Sequence, residues 1–280
     1  AIGRIQEGVT FVAGGTSTVN VLAGAYNEAL TLNKTGLVVV SQGAVTLSGG
    51  SLTLTEGLWV LGAHNLSLAS GVTVSGGSSA AMVVADGAGA LCRAYSGTSA
   101  FTFPIGDHTG DTEYSPATLN FTAGIFSSGQ ACVRVNNALH PNNVEPSYLA
   151  RFWTVTTSGI SAFTAKAAFV YTDADIAGAR YEDGLKTMQW NGSNWSTGND
   201  VNAEANTVTM TVNSFSDFTA GGPVDPTSVT LAAFDATPQG EAILVTWETT
   251  TELENLGFNL YRGESPSGPW VKLNAEMLAA

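Results

Sequence analysis

The chain has 280 residues, enough for one large β domain or two to three ordinary ones at roughly 100–200 residues each. Ten Lys and Arg against 23 Asp and Glu give a formal net charge of −13, with only 12% of residues charged. So small a supply of cations excludes a nucleic-acid binder, because a row of phosphates could not be neutralised. A hydrophobic content of 44% excludes a disordered acidic tail. No run reaches the ~18 apolar residues of a membrane-spanning helix.

Ile2, Ile5, Val9 and Val12 recur three and four apart, which predicts one apolar helical face, and Gly14-Gly15 ends the pattern. From residue 18 to 76 the texture changes to short apolar/polar alternations such as Val19-Asn20-Val21-Leu22, Leu30-Thr31-Leu32, Leu52-Thr53-Leu54 and Leu66-Ser67-Leu68, with Gly, Ser or Asn between them. Grouped in threes, they give a coil of roughly 21–26 residues, the period of a parallel β-helix. An antiparallel meander is the alternative, but these turns lack hairpin signals such as Asn-Gly. The first helix then serves as a cap over the open end of the coil.

Residues 5–34 resemble the start of the pectin-lyase-like right-handed β-helix repeats of secreted bacterial proteins. There a capping helix runs into a G-G-T-V-x-V-x-x-G-x-Y-x-E pattern, matched here by Gly14, Gly15, Val19, Val21, Gly24, Tyr26 and Glu28. The resemblance covers about 75 residues. It implies a fold more than an activity, since this architecture serves as scaffold as well as enzyme.

Beyond Gly76-Gly77 the strands lengthen and aromatic residues appear, as in Phe101-Thr102-Phe103, Phe152 to Thr156, Phe163 to Tyr171 and Met188 to Trp190. Turn signals every 10–15 residues predict an antiparallel sandwich. The stretches FTFPIGDHTGDTEYSP, RFWTVT, MQWNGSNW and SFSDFTAGG resemble a β-sandwich module found after such β-helices in bacterial surface proteins. Gly221 to Pro226 reads as a linker stiffened by two prolines. Residues 229–274 resemble the first half of a fibronectin type III-like domain. Trp247 matches the core tryptophan of its second strand, and Tyr261-Arg262 its third strand. Such domains need roughly 90–100 residues and only about 55 follow Pro226. The expected organisation is therefore all-β: a short right-handed parallel β-helix with an N-terminal capping helix over 1–77, an antiparallel β-sandwich over 78–222, and a partial fibronectin type III-like sandwich over 223–280.

Candidate chemistry is sparse. Cys92 and Cys132 lack metal-type spacing and would form one disulfide in an extracellular protein; the alternative is two small buried hydrophobes. His64, His108 and His140 lie in dissimilar contexts and read as solvated loop residues. Asp107, Asp111 and Glu113 cluster within seven residues, and Asp173 and Asp175 form D-A-D. Hard oxygen ligands in Gly-containing loops suit calcium, the alternative being a solvated acidic loop; no other cofactor is indicated. Trp190 and Trp195, with amides between them, could stack sugar rings, or could pack across a hairpin turned at Asn191-Gly192 or Gly192-Ser193. Nothing resembles a nucleophile elbow, a zinc-protease motif or a phosphate loop.

The expected function is a non-enzymatic extracellular structural protein, a subunit or module of a cell-surface fibre, sheath or layer. It would self-associate into a polymer through an unpaired strand edge and the side chains Leu244, Trp247, Phe258 and Leu260. The alternative is a glycan-binding adhesin. A polysaccharide-degrading enzyme fits less well, because residues 35–80 hold one carboxylate, Glu56, and no Lys or Arg.

Overall fold

The computed structural model describes residues 4–12, 15–177, 182–222, 230–240, 242–251, 257–265 and 269–279. Two compact units divide the chain, 1–224 and 225–280.

The first unit opens with helix α1 (Ile5–Phe11), which buries Ile5 and Val9 as their spacing predicts and leaves Phe11 in solvent. Val12 sits one residue past the helix in extended conformation; Ile2 and Gly14 lie outside the described residues. Nine strands follow: β1 (Ser17–Val21), β2 (Gly24–Ser41), β3 (Val45–Val60), β4 (Leu66–Leu68), β5 (Thr73–Gly76), β6 (Ala81–Val84), β7 (Leu91–Tyr95), β8 (Ala100–Phe103) and β9 (Ile105–Asp107). All but β8 pair in parallel to make a β-solenoid of about four turns. Register advances by 20 residues between Val19 and Val39 and by 25 between Leu66 and Leu91.

Three stacked columns give the coil its sides. One aligns Val19, Val39, Trp59, Val83 and Ile105; a second aligns Val45, Leu66 and Leu91; a third aligns Leu30, Leu52 and Val74. Side chains alternate across each strand, so these residues point inward while their neighbours face water. Each fully buried aliphatic side chain contributes about 1.5–3 kcal/mol. The outward neighbours are mostly hydroxyls and amides, including a Thr53–Ser75 contact of 3.3 Å and a Gln42-to-Asn20 bond of 2.9 Å, so the coil stays wet with few charges. Two corners require glycine. Gly50 and Gly76 both have φ of 80°, and a Cβ there would come within 2.0 Å of the Glu28 carbonyl oxygen and 1.9 Å of that of Leu54.

Parallel strands cannot end bare without exposing unpaired backbone. At the N-terminal end α1 covers them. The Glu28 carboxylate accepts the helix's first backbone amides, from Ile5 at 2.8 Å and Gln6 at 3.1 Å. The Gln6 amide oxygen accepts the Thr31 backbone N–H of the rung beneath at 2.6 Å. At the other helix end the Lys34 ammonium donates to the carbonyls of Thr10 and Val12. Acid sits at the positive end of the helix and base at the negative end.

At the C-terminal end the solenoid hands over to antiparallel sheet. Strands β10 (Glu113–Tyr114), β11 (Ala117–Asn136), β12 (Ser147–Leu149), β13 (Phe152–Val170), β14 (Ile176–Ala177), β15 (Lys186–Trp190), β16 (Trp195–Asp200), β17 (Thr207–Val212) and β18 (Asp217–Gly222) complete the unit. The second half of β11 pairs with β7, the last strand of its column, and its first half pairs with β8. An expected division at residue 77 is therefore not a break in hydrogen bonding: β6, β7 and β9 continue the coil, and β7 belongs to both parts. Cys132 stands directly opposite Cys92 in the β7–β11 pair and is joined to it in a disulfide. The long β11–β13 ribbon is interrupted by bulges between Phe121 and Gln130, and a chain of aromatic contacts runs along it. Phe121 meets Tyr95, Phe163 and Phe215 with ring centroids 4.8–5.7 Å apart, and Phe169 links Trp153 to Phe218.

In the second unit β19 (Thr230–Gln239) and β20 (Ala242–Thr251) form a hairpin, and β21 (Tyr261–Gly263) pairs with β22 (Trp270–Lys272). Of the expected linker over 221–226, Gly221 and Gly222 instead end β18, paired with β12 and β15, while 223–226 and Val229 lie outside the described residues.

Two outcomes follow from these ends and this joint. Glu28→Ala should lower unfolding free energy by about 1–2 kcal/mol, the worth of a helix cap with its favourable charge, read in urea denaturation; an unchanged midpoint would show that α1 is held by Ile5 and Val9 alone. Replacing both cysteines by serine should cost about 4 kcal/mol, the loop-closure value for a 40-residue separation in the chain-entropy model. Equal stability of the oxidised and serine forms would contradict it.

Candidate functional site

The two acidic clusters that look separate in sequence converge in space on a cation that neither contains. Asp107 ends β9, Glu113 opens β10, and Asp175 closes a short 3₁₀ turn at Asp173–Asp175. Between them lies Arg151, just before β13, with no solvent exposure. Its Nε donates to Asp175 Oδ2 at 2.7 Å, one terminal nitrogen to Asp107 and the other to Glu113. Asp107 and Asp175 are buried and the Glu113 side chain is 13% exposed.

Outer bonds fix the carboxylates. Asn137 Nδ2 donates to Asp107 Oδ1 at 3.0 Å. The Thr172 backbone N–H donates to Asp175 at 2.7 Å, and the Thr172 hydroxyl donates to Glu113 Oε1 at 2.7 Å. The Arg151 carbonyl in turn accepts the Thr219 hydroxyl of β18 at 2.7 Å. Burial pulls against the charged guanidinium, but the hydrogen bonds and charges of Asp175 and Asp107 outweigh it and hold the pKa above its ordinary value. Such a guanidinium gives up no proton near neutrality, so Arg151 itself is no general acid. It works as a cross-link between solenoid end and sandwich.

Asp111 is exposed, and Asp173 accepts the Asn206 side-chain amide at 2.5 Å, so the remaining two candidate ligands stand apart from the cluster. Among the described residues no group of three or more His, Cys, Asp or Glu is arranged to hold a metal. The cation that these carboxylates meet is the arginine.

Trp190 and Trp195 sit directly opposite each other in the β15–β16 hairpin, ring centroids 5.1 Å apart and tilted by 54°, so they present no flat platform. Asn191 Oδ1 closes the turn by accepting the backbone amides of Ser193 and Asn194. Trp195 Nε1 donates to the Asn142 carbonyl at 2.9 Å, and its ring meets His140 edge-on at 4.8 Å. His140 is not the solvated loop residue its sequence context predicts. It is buried against Phe152, with Nε2 3.2 Å from Asp217 and Nδ1 accepting the Asn142 backbone N–H. His64 sits in a coil turn as expected, its backbone amide bonded to the Leu61 carbonyl, and His108 rests on Asp86 at 2.7 Å while staying 43% exposed.

In the second unit Trp247 and Phe258 meet with centroids 5.4 Å apart, and with Leu231, Phe234 and Leu260 they line an apolar hollow of about 350 Å³. Leu244 does not join them. It lies three residues from Trp247 on one strand, and alternation sends it to the opposite face.

No family model matches the chain, and neither a curated protein nor a solved structure matches it. What the fold defines is a helix-capped β-solenoid continuous with antiparallel sheets, followed by a small open β unit.

Arg151 itself was the residue that motif reading passed over. Its signal was its setting: a cation between Leu149-Ala150 and Phe152-Trp153, an apolar run where an unpaired charge is prohibitive. Arg151→Leu should cost about 3–5 kcal/mol, because three carboxylates lose their partner. Arg151→Lys should fall between, having charge but no three-way fork. Chemical denaturation of the three forms measures this, and a Leu variant as stable as the parent would refute the cross-link.

Proposed function

We propose that this chain is an extracellular structural protein, a module of a cell-surface fibre, sheath or layer that assembles through β-strand contacts. The observation that carries the reading is the uncovered face of the 225–280 unit. Leu231 is 55% exposed and Phe234 58%, and both line the apolar hollow together with Trp247 and Phe258. Apolar surface gathered in one place is a site for association. A second copy adding a strand there would bury it, and a contact between unlike surfaces that does not close on itself propagates as a fibre.

Other features agree with this reading. The Cys92–Cys132 disulfide suits an oxidising compartment. The pectin-lyase-like and fibronectin type III-like resemblances point to modular secreted surface proteins. Lys34, Arg93 and Arg151 are all bound up in structural contacts.

The purified chain should sediment as concentration-dependent oligomers and give filaments or sheets in electron microscopy. A Leu231→Asp/Phe234→Asp double variant should remain monomeric with the first unit's stability unchanged. A parent chain that stays monomeric up to its solubility limit would end this proposal.

A further inference from the structure

We infer that a neutral sugar unit binds in the cleft where the last solenoid turn, the end of β7 and the bulged β11–β13 ribbon meet. The cleft has a volume of about 470 Å³, within the range of small-ligand sites. Its lining includes Ser70, Ser96, Ser128, Ser158, Gln130 and Phe126. The four serines are exposed, and their hydroxyls have no protein partner among the described residues. Phe126 is half-buried, its ring edge-on to Phe121 in the aromatic chain at 5.6 Å.

The lining chemistry selects the ligand class. Hydroxyls and an amide that both donate and accept, beside the aromatic residues Tyr95 and Phe126, match a ring that carries hydroxyls on its rim and C–H groups on its face. No carboxylate lines the cleft, so a metal ion lacks ligands. An anion lacks a free cation: the neighbouring Arg93 already donates to the carbonyls of Ala69, Ser70 and Val72. An adjoining hollow of about 300 Å³ shares Ser70 and Ser96 and adds Thr98 and Ser99, so the hydroxyl-lined surface continues for a second unit of a neutral oligosaccharide.

Backbone strain marks the same place independently. Ser128 holds φ at 53°, in the left-handed region, whereas Gly124 and Gly159 occupy positive φ in the same bulged stretch. A glycine would fit at 128 without strain, yet the chain carries a hydroxyl there. Strain kept at one edge of a cleft is expected where the side chain has work outside folding.

The test uses the intact oxidised chain on an array of neutral oligosaccharides (glucose, galactose, mannose and N-acetylhexosamine series) with uronate oligomers beside them, followed by calorimetry on the strongest neutral binder. Ser128→Gly should raise the melting temperature and weaken binding about tenfold, as loss of a ligand hydrogen bond does. Phe126→Leu should keep the core contact and also weaken binding, while Trp190→Phe, outside the cleft lining, should leave it unchanged. The inference fails if no neutral glycan binds, if only uronates bind, or if Trp190→Phe abolishes binding that Ser128→Gly leaves intact.

Discussion

A stack of parallel strands satisfies its backbone only in the middle. Every inner strand of the coil has a neighbour on each side, but the first and last present a row of amides and carbonyls that must find another partner or water. Much of the first unit is arranged around that demand. At one end α1 lies across the opening, tied by Glu28, Gln6 and Lys34 to the rung beneath. At the other end β7 stops being the edge of a solenoid by becoming the neighbour of β11. The sandwich is thus the second cap, grown large.

Scarcity of charge sharpens the roles of the few cations. Arg93 turns its guanidinium to three carbonyls at the end of the coil, where the desolvation of burial lowers its pKa, and stacks over Phe101. Arg151 joins three carboxylates carried by different elements. Both sit at the joint between solenoid and sandwich, the place where backbone pairing changes from parallel to antiparallel. Long side chains with several donors bridge such a mismatch, because a planar fork bonds in several directions at once.

The coil was legible in the sequence because its determinants are local. Alternation such as Leu52-Thr53-Leu54 and a repeat near the observed 20–25 residues specify which side chains face inward. The Trp190–Trp195 hairpin was legible for the same reason, from the turn-forming Asn-Gly-Ser-Asn between two tryptophans. The Arg151 cluster was not, since its partners are 24 to 44 residues distant and the two carboxylate groups look self-contained. Nor was the continuation of the coil past residue 77. There the inward positions persist as Val83 and Ile105, but longer excursions separate them and the short-range rhythm is lost. His140 illustrates a third limit: a Pro-rich loop suggests exposure, and only the packing of Phe152 and Trp195 from other strands buries it.

Because each coil touches only the coils before and after it, the solenoid has no length of its own. A segment copied in register, from an inward leucine to the matching leucine one turn later, would meet the same ladder above and below and would disturb neither α1 nor the seam with β11. The distance between those two ends can therefore drift through gain or loss of whole turns, while changes of any other size would rotate inward residues to the outside. Descendants of such a gene would be expected to differ by discrete steps in the reach of the rod, with the same terminal fittings on every length.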